Sequence, residues 1–228
     1  MQEHFSQEIE NLKTNLIQMA SLVDEQAEKA IKALETGDIE LCKGIKSKDV
    51  DVDIFDNKIQ SQCENILALF QPVTIDLRFV IAVMMINTQL ERCGDISVNI
   101  ARRVKKTAGA REIIKESQII QMANSAKEML KLSIDCFIHS SIDTANSILI
   151  KDAEVDSLNK QIFKFLVQKM KTDANLVEDC AHLIVLARNI ERLADHATNI
   201  AENIIFYLEA NIVAHKMKFQ KRNIDEDF

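Results

Sequence analysis

The residues of this chain best suited to chemistry are four short acidic pairs: Asp49-xxx-Asp53, Glu91-xxx-Asp95, Asp152-xxx-Asp156 and Glu191-xxx-Asp195. Residues four apart share one face of a helix, so each pair presents two carboxylates to the same side. A single pair carries little weight, because 35 acidic residues among 228 give about five such pairs by chance, mostly on solvated faces. The position of the four pairs along the chain is more informative.

In an antiparallel helical hairpin, residues equally far from the corner stand at the same height, since each helix rises about 1.5 Å per residue. With a corner near residue 71, Asp53 and Asp49 lie 18 and 22 residues before it, and Glu91 and Asp95 lie 20 and 24 after it. With a second corner near residue 173, Asp156 and Asp152 lie 17 and 21 before, and Glu191 and Asp195 lie 18 and 22 after. If the pairs of each hairpin turn toward one groove, four carboxylates converge there. Such convergence is costly unless positive charge sits among them. A hard cation is one solution, and an oxygen-only ligand set suits Mg²⁺, Ca²⁺ or Mn²⁺, with iron as a further fit. Asn99 and Asn199, one turn beyond the aspartates, would add amide oxygens or hold water around the ion. Arg92 and Arg192 adjoin the glutamates but point about 100° away from them along a helix, and so are expected to be free to face elsewhere. The alternative is a salt-bridged face that sets helix register, using cations from neighbouring helices.

Other chemical signals are weaker. Di-iron carboxylate bundles need Glu-x-x-His on two helices, and no such motif occupies the repeated positions. Asp179 and His182 are three apart but align with Phe79 and Ala82 in the other half, so His182 reads as a partly buried, hydrogen-bonded histidine. His196, aligned with Ile96, is a candidate peripheral ligand. A glycine-rich phosphate loop, a GxSxG elbow and an HExxH sequence are all missing from the sequence. Gly94 and its counterpart Ala194 suggest close helix approach, and the methionines, Met84 and Met85 included, read as core filler.

The elements that would position these residues are helices. The chain has 4 Gly, 1 Pro, 1 Tyr and no Trp, too few turn-forming and aromatic residues for a sheet protein. Apolar residues Ile9, Leu12, Leu16, Met19, Leu22 and Val23 recur at helical spacing in a first helix from about Glu3 to Glu35. Thr36-Gly37-Asp38 ends it, with Asp38 expected to cap a second helix reaching about Phe70. Pro72 marks the next corner, and a third helix extends to about Lys106. The second half repeats this plan with helices over about 111–139, 141–171 and from the 172–173 corner to about Ala214.

The repeat can be followed residue by residue. Met19, Lys48, Asp49 and Asp53 match Met122, Lys151, Asp152 and Asp156 at an offset of 103. Beyond the corner the offset is 100, where Glu91, Arg92, Asp95 and Asn99-Ile100-Ala101 match Glu191, Arg192, Asp195 and Asn199-Ile200-Ala201. The expected architecture is all-α: two pseudo-symmetric three-helix bundles of six long antiparallel helices, with bundles over 1–108 and 109–214 and a frayed tail over 215–228.

A net charge of −7 disfavours nucleic acid and anionic membranes as partners. The longest apolar run, Phe79 to Ile86, is far below the roughly 20 residues of a membrane span. The first residues lack a signal-peptide layout, and five separated cysteines (Cys42, Cys63, Cys93, Cys136, Cys180) suit buried thiols in a reducing cytoplasm.

Gln71-Pro72-Val73-Thr74-Ile75-Asp76-Leu77-Arg78, with Leu90-Glu91-Arg92-Cys93-Gly94-Asp95 and Asn99-Ile100-Ala101-Arg102, resembles the first-repeat signature of the PhoU family. The run from Asn189 to Glu202 resembles its second, and Gln89 departs from the aspartate common in the family. The resemblance implies a cytoplasmic regulator rather than an enzyme, acting by contacts with a phosphate ABC transporter ATPase and a sensor histidine kinase. It also implies metal ions, Mg, Mn, Fe or Zn, on the four acidic pairs, and a homodimer. A metal-dependent hydrolase and a metal store are the competing functions for a carboxylate-lined helical bundle.

Overall fold

The computed structural model describes residues 2–210. They form α1 (Gln2–Thr36), α2 (Ile45–Phe70), α3 (Thr74–Lys106), α4 (Arg111–Glu116), α5 (Ile119–His139), α6 (Ile142–Thr172) and α7 (Val177–Glu209). Single 3-10 turns at Ile39–Cys42 and Ala174–Leu176 precede α2 and α7. The architecture is the expected one. Helices α1, α2 and α3 pack on one another, and so do α5, α6 and α7. Helix α3 then lies along α7, and α1 along α5, so one apolar core runs through both bundles. Leu12, Leu16, Met19, Ile31 and Leu34 of α1 are fully buried in it, each contributing about 1.5–3 kcal/mol.

The joint between the bundles is antiparallel and mixed in character. Phe79 of α3 sits between Phe137 of α5 and Tyr207 of α7, with ring centroids 6.3 and 5.3 Å away. Arg78 Nε donates to the Tyr207 carbonyl at 3.4 Å, and at the far end of α3 Arg103 Nη1 lies 3.0 Å from His182 Nδ1. Arginine only donates, so the His182 nitrogen accepts. His182 is therefore the half-buried, hydrogen-bonded histidine that its unmatched position suggested.

Helix ends follow local chemistry, and some of them depart from expectation. Gly37 adopts φ +79 and its N–H bonds the Ala33 carbonyl at 2.9 Å, the left-handed close expected of α1. Asp38, however, accepts from the Glu40 N–H at 3.0 Å and so caps the 3-10 turn, not α2. Helix α2 starts only after Gly44, at φ +80, redirects the chain. Pro72 lies ahead of α3, with Val73 as the N-cap. The helix expected over 111–139 is broken: Ser117 Oγ bonds the Ile114 carbonyl at 3.0 Å and Gln118 takes φ +60. Ile113 and Ile114 before the break and Ile119 after it are all buried. Met85, expected in the core, is 46% exposed, while Met84 packs against the core. Ser141 caps α6, accepting from the Thr144 N–H. Residues 211–214 of the expected last helix, and the expected tail over 215–228, lie outside the described residues.

Candidate metal-binding faces

The first face lies between α2 and α3. Helix α2 presents Asp49 and Asp53, and α3 presents Glu91 and Asp95, at matching heights. Their proximity shows in their electrostatics. Burial pushes the Asp49 carboxyl above its ordinary value, and the charges of Asp95 and Asp53 push it further. Glu91 is also raised, first by burial; Arg92 opposes this, while Asp95, Asp56 and Asp53 add to it. The four carboxylates therefore do share one face, as the spacing required.

Asp56, Gln26 and Gly94 complete this face. Asp56 joins it one turn beyond Asp53, accepting from Asn87 Nδ2 at 2.6 Å. Gln26 reaches in from α1, its Nε2 3.5 Å from Asp49 Oδ1 and 3.4 Å from the Ile45 carbonyl. Its Oε1 is buried and has no hydrogen-bond partner. Gly94 provides the room, since a Cβ there would stand 3.2 Å from both Asp49 Oδ1 and Gln26 Oε1. At the matching positions of the second bundle stand Met129 and Ala194, so the glutamine–aspartate contact belongs to the first bundle alone.

Arg92 corrects the expectation that it faces elsewhere. Its Nε lies 3.3 Å from Glu91 Oε2 and its Nη1 3.8 Å from Asp95 Oδ2, so it folds back over the α3 pair. Asn99 gives its amide oxygen to Arg102 Nη1 at 3.1 Å, one turn along its own helix.

The second face, between α6 and α7, is deeper. Asp152 and Glu191 are only 8% and 9% exposed, with Asp156 and Asp195 half-buried beside them. Asp152 Oδ1 accepts from Thr198 Oγ1 at 3.2 Å, and Glu191 Oε1 accepts from Arg188 Nη1 at 2.6 Å. Neither donor has an equivalent in the first bundle, where Val98 and Thr88 occupy those positions. Asn199 turns to the bundle joint, where its Nδ2 donates to Gln89 Oε1 at 3.1 Å. His196 Nδ1 lies 2.7 Å from the same oxygen, so His196 and Asn199 are held by Gln89 across the joint. The matched lysines act alike in both bundles: Lys48 bonds Glu25 at 2.7 Å and Lys151 bonds Glu128 at 2.6 Å.

Both faces present oxygen donors, and the first adds the unpartnered Gln26 oxygen, so the donor set fits a hard cation. Among the described residues, no three carboxyl, thiol or imidazole groups are gathered tightly enough to grip one ion as they stand. Each face is thus a spread of donors, not a closed cage, and binding requires rotation of exposed side chains such as Asp53 and Asp95. The five cysteines take no part: all are buried free thiols, with Cys63 pushed up to about 12 by burial. Among the described residues no helix is long and apolar enough to cross a membrane.

Paired antiparallel three-helix bundles with an acidic face on each define a tandem-bundle class of protein. The PhoU domain model matches residues 16–104 and 119–204, and the chain belongs to the PhoU family. It is 32% identical over 207 residues to a phosphate-specific transport system accessory protein PhoU homolog of Clostridium acetobutylicum, covering 90% of this chain and 94% of that one. A homolog of the same description from Caulobacter vibrioides is 32% identical over 213 residues, covering 91% and 93%. The crystal structure of PhoU from Pseudomonas aeruginosa superposes with a TM-score of 0.84 at 28% identity, covering 91% of this chain and 100% of that one. The phosphate transport system regulatory protein PhoU from Streptococcus pneumoniae gives 0.80 at 29%, covering 92% and 99%.

Proposed function

We propose that this chain is a non-enzymatic regulatory adaptor of a phosphate transport system, acting in the cytoplasm as a homodimer through contacts with the transporter ATPase and a sensor histidine kinase. Near-complete coverage of relatives described as transport accessory proteins supports the regulatory role. The carboxylate faces supply the working chemistry. Asp49, Asp53, Glu91 and Asp95 on one side, and Asp152, Asp156, Glu191 and Asp195 on the other, hold Mg, Mn, Fe or Zn ions, with Asn99 and Asn199 at the margins. A bound cation converts an acidic helical face into one that accepts anionic groups of a partner.

The observation that carries the metal reading is the first face, where burial and mutual repulsion raise Asp49 and Glu91 beside an unpartnered Gln26 oxygen. That arrangement is unfavourable without a cation and favourable with one. The test is binding of the purified transporter ATPase and of the kinase to the native chain and to a variant with all eight carboxylates neutralised, with and without Mn²⁺. Loss of metal-dependent binding is expected; unchanged affinity overturns the reading.

A further inference from the structure

Between α6 and α7, toward the 173 corner from the acidic residues, lies a groove of ≈ 410 Å³ lined by Asn159, Lys160, Phe163, Lys164, Ile184 and Arg188. Phe163 is 52% exposed. Lys160 and Lys164 flank it on the outer side of α6. Arg188 of α7 forms the opposite rim, positioned by its bond to Glu191. An apolar floor ringed by three cations is thus displayed on a chain of net charge −7.

The first bundle supplies an internal comparison. The repeat carries Phe163 to Gln60, Lys160 to Asn57, Lys164 to Ser61 and Arg188 to Thr88. The groove at that place, ≈ 280 Å³, is lined by Gln60, Met84, Met85, Asn87 and Thr88, none of them charged. The hairpin therefore packs without an exposed aromatic ring or a cationic rim. Helix pairing does not account for these residues in the second bundle.

We propose that the α6–α7 groove of the second bundle docks an acidic segment of a partner protein, with an apolar side chain seated on Phe163 and carboxylates against Lys160 and Lys164. The charge pattern selects this occupant. A strongly acidic chain repels acidic partners over most of its surface, and a local basic rim both attracts such a segment and sets its orientation. An exposed aromatic anchor within a charged ring has the composition of an interface hot spot. The groove borders the second carboxylate face at Arg188, while the docking contacts on Phe163, Lys160 and Lys164 involve none of its carboxylates.

The test uses the full chain and a fluorescein-labelled heptapeptide, Glu-Asp-Glu-Phe-Asp-Glu-Glu, followed by fluorescence anisotropy. Saturable binding that weakens with added salt is expected. Lys160→Glu with Lys164→Glu should lower affinity at least about tenfold, by charge reversal at the rim. Phe163→Ala should lower it about fivefold or more, as should replacing the peptide phenylalanine by alanine. Gln60→Ala with Met85→Ala in the first bundle should leave binding unchanged. All these positions are exposed, and circular dichroism would verify the fold of each variant. Peptide binding that survives the lysine reversals overturns the proposal. So does displacement by an equimolar amount of inorganic phosphate, which would mark a small-anion site. Self-association of unlabelled protein that is lost on lysine reversal would assign the groove to a second copy and overturn it equally.

Discussion

Gln89 of α3 and His196 of α7 meet across the bundle joint, with Gln89 Oε1 2.7 Å from His196 Nδ1. The amide oxygen only accepts, so the imidazole carries its proton on Nδ1 and donates. Asn199 Nδ2 donates to the same oxygen at 3.1 Å. One glutamine thus accepts from two side chains of the other bundle. A neutral amide suits this place, because burial and the charges of Arg192 and Arg92 hold His196 below its ordinary pKa.

Gln89→Ala should destabilise the chain by about 1–2 kcal/mol, since two half-buried donors lose their acceptor. For a chain of this size that is a fall in Tm of several degrees. Urea unfolding of the native and variant chains would measure it. An unchanged midpoint would show that water replaces the glutamine at no cost.

Arg111, at the start of α4, donates from Nη1 to the Leu34 carbonyl and from Nη2 to the Glu35 carbonyl, each at 2.6 Å. It satisfies two terminal carbonyls of α1 and places its charge at the negative end of that helix. Arg111→Ala should cost about 1–2 kcal/mol. Arg111→Lys should recover less than half, because an ammonium cannot bridge two carbonyls as a guanidinium does. Recovery of full stability by lysine would reduce the contact to a simple charge effect.

Glu25 is held down to about 2 by hydrogen bonds from Lys29 and Lys48. A depressed carboxylate stabilises the fold above its ordinary pKa, and that contribution disappears as pH falls from about 4.5 toward 2. The side chain is 41% exposed, so solvent screening keeps the effect small. Glu25→Gln should flatten the acid limb of stability against pH in that window and leave the slope near neutrality unchanged. A parallel acid limb in the variant would contradict the assignment.

Asp49 behaves in the opposite sense. Its folded pKa is raised, so it favours the fold when protonated and opposes it as pH rises to neutrality. Without metal, Asp49→Asn should therefore raise Tm at pH 7. Added Mn²⁺ should stabilise the native chain and stabilise this variant less. Thermal scans with and without the ion separate the two effects, and equal metal stabilisation in both would remove Asp49 from the ligand set.

The height matching of Asp49, Asp53, Glu91 and Asp95 was legible in the sequence because helical rise is uniform and the corner at Pro72 fixes its origin. Asp56 was within reach of the same reasoning, as it lies three residues past Asp53. Gln26 was not, because its counterpart Met129 breaks the repeat and nothing in α1 marks it as polar lining. The break at Ser117 and Gln118 was also hidden, since neither glycine nor proline marks it. Arg92 shows the limit of helical-wheel geometry. Its Cβ points away from Glu91, yet a long flexible side chain brings the guanidinium back to within 3.3 Å.

By itself, the sequence determined the helices, the repeat and the level of the carboxylates, because those follow from periodicity and constant rise along one chain. Only the tertiary structure decided that the two faces differ in kind. Gly94 admits Gln26 beside Asp49 in one bundle, whereas Thr198 donates to Asp152 Oδ1 and Arg188 to Glu191 Oε1 in the other. It also decided that Asn199 and His196 serve the bundle joint, which forms where α3 packs along α7. Partners across packed helices are set by rotamers and by which surfaces meet, and neither is written in the spacing of a single helix.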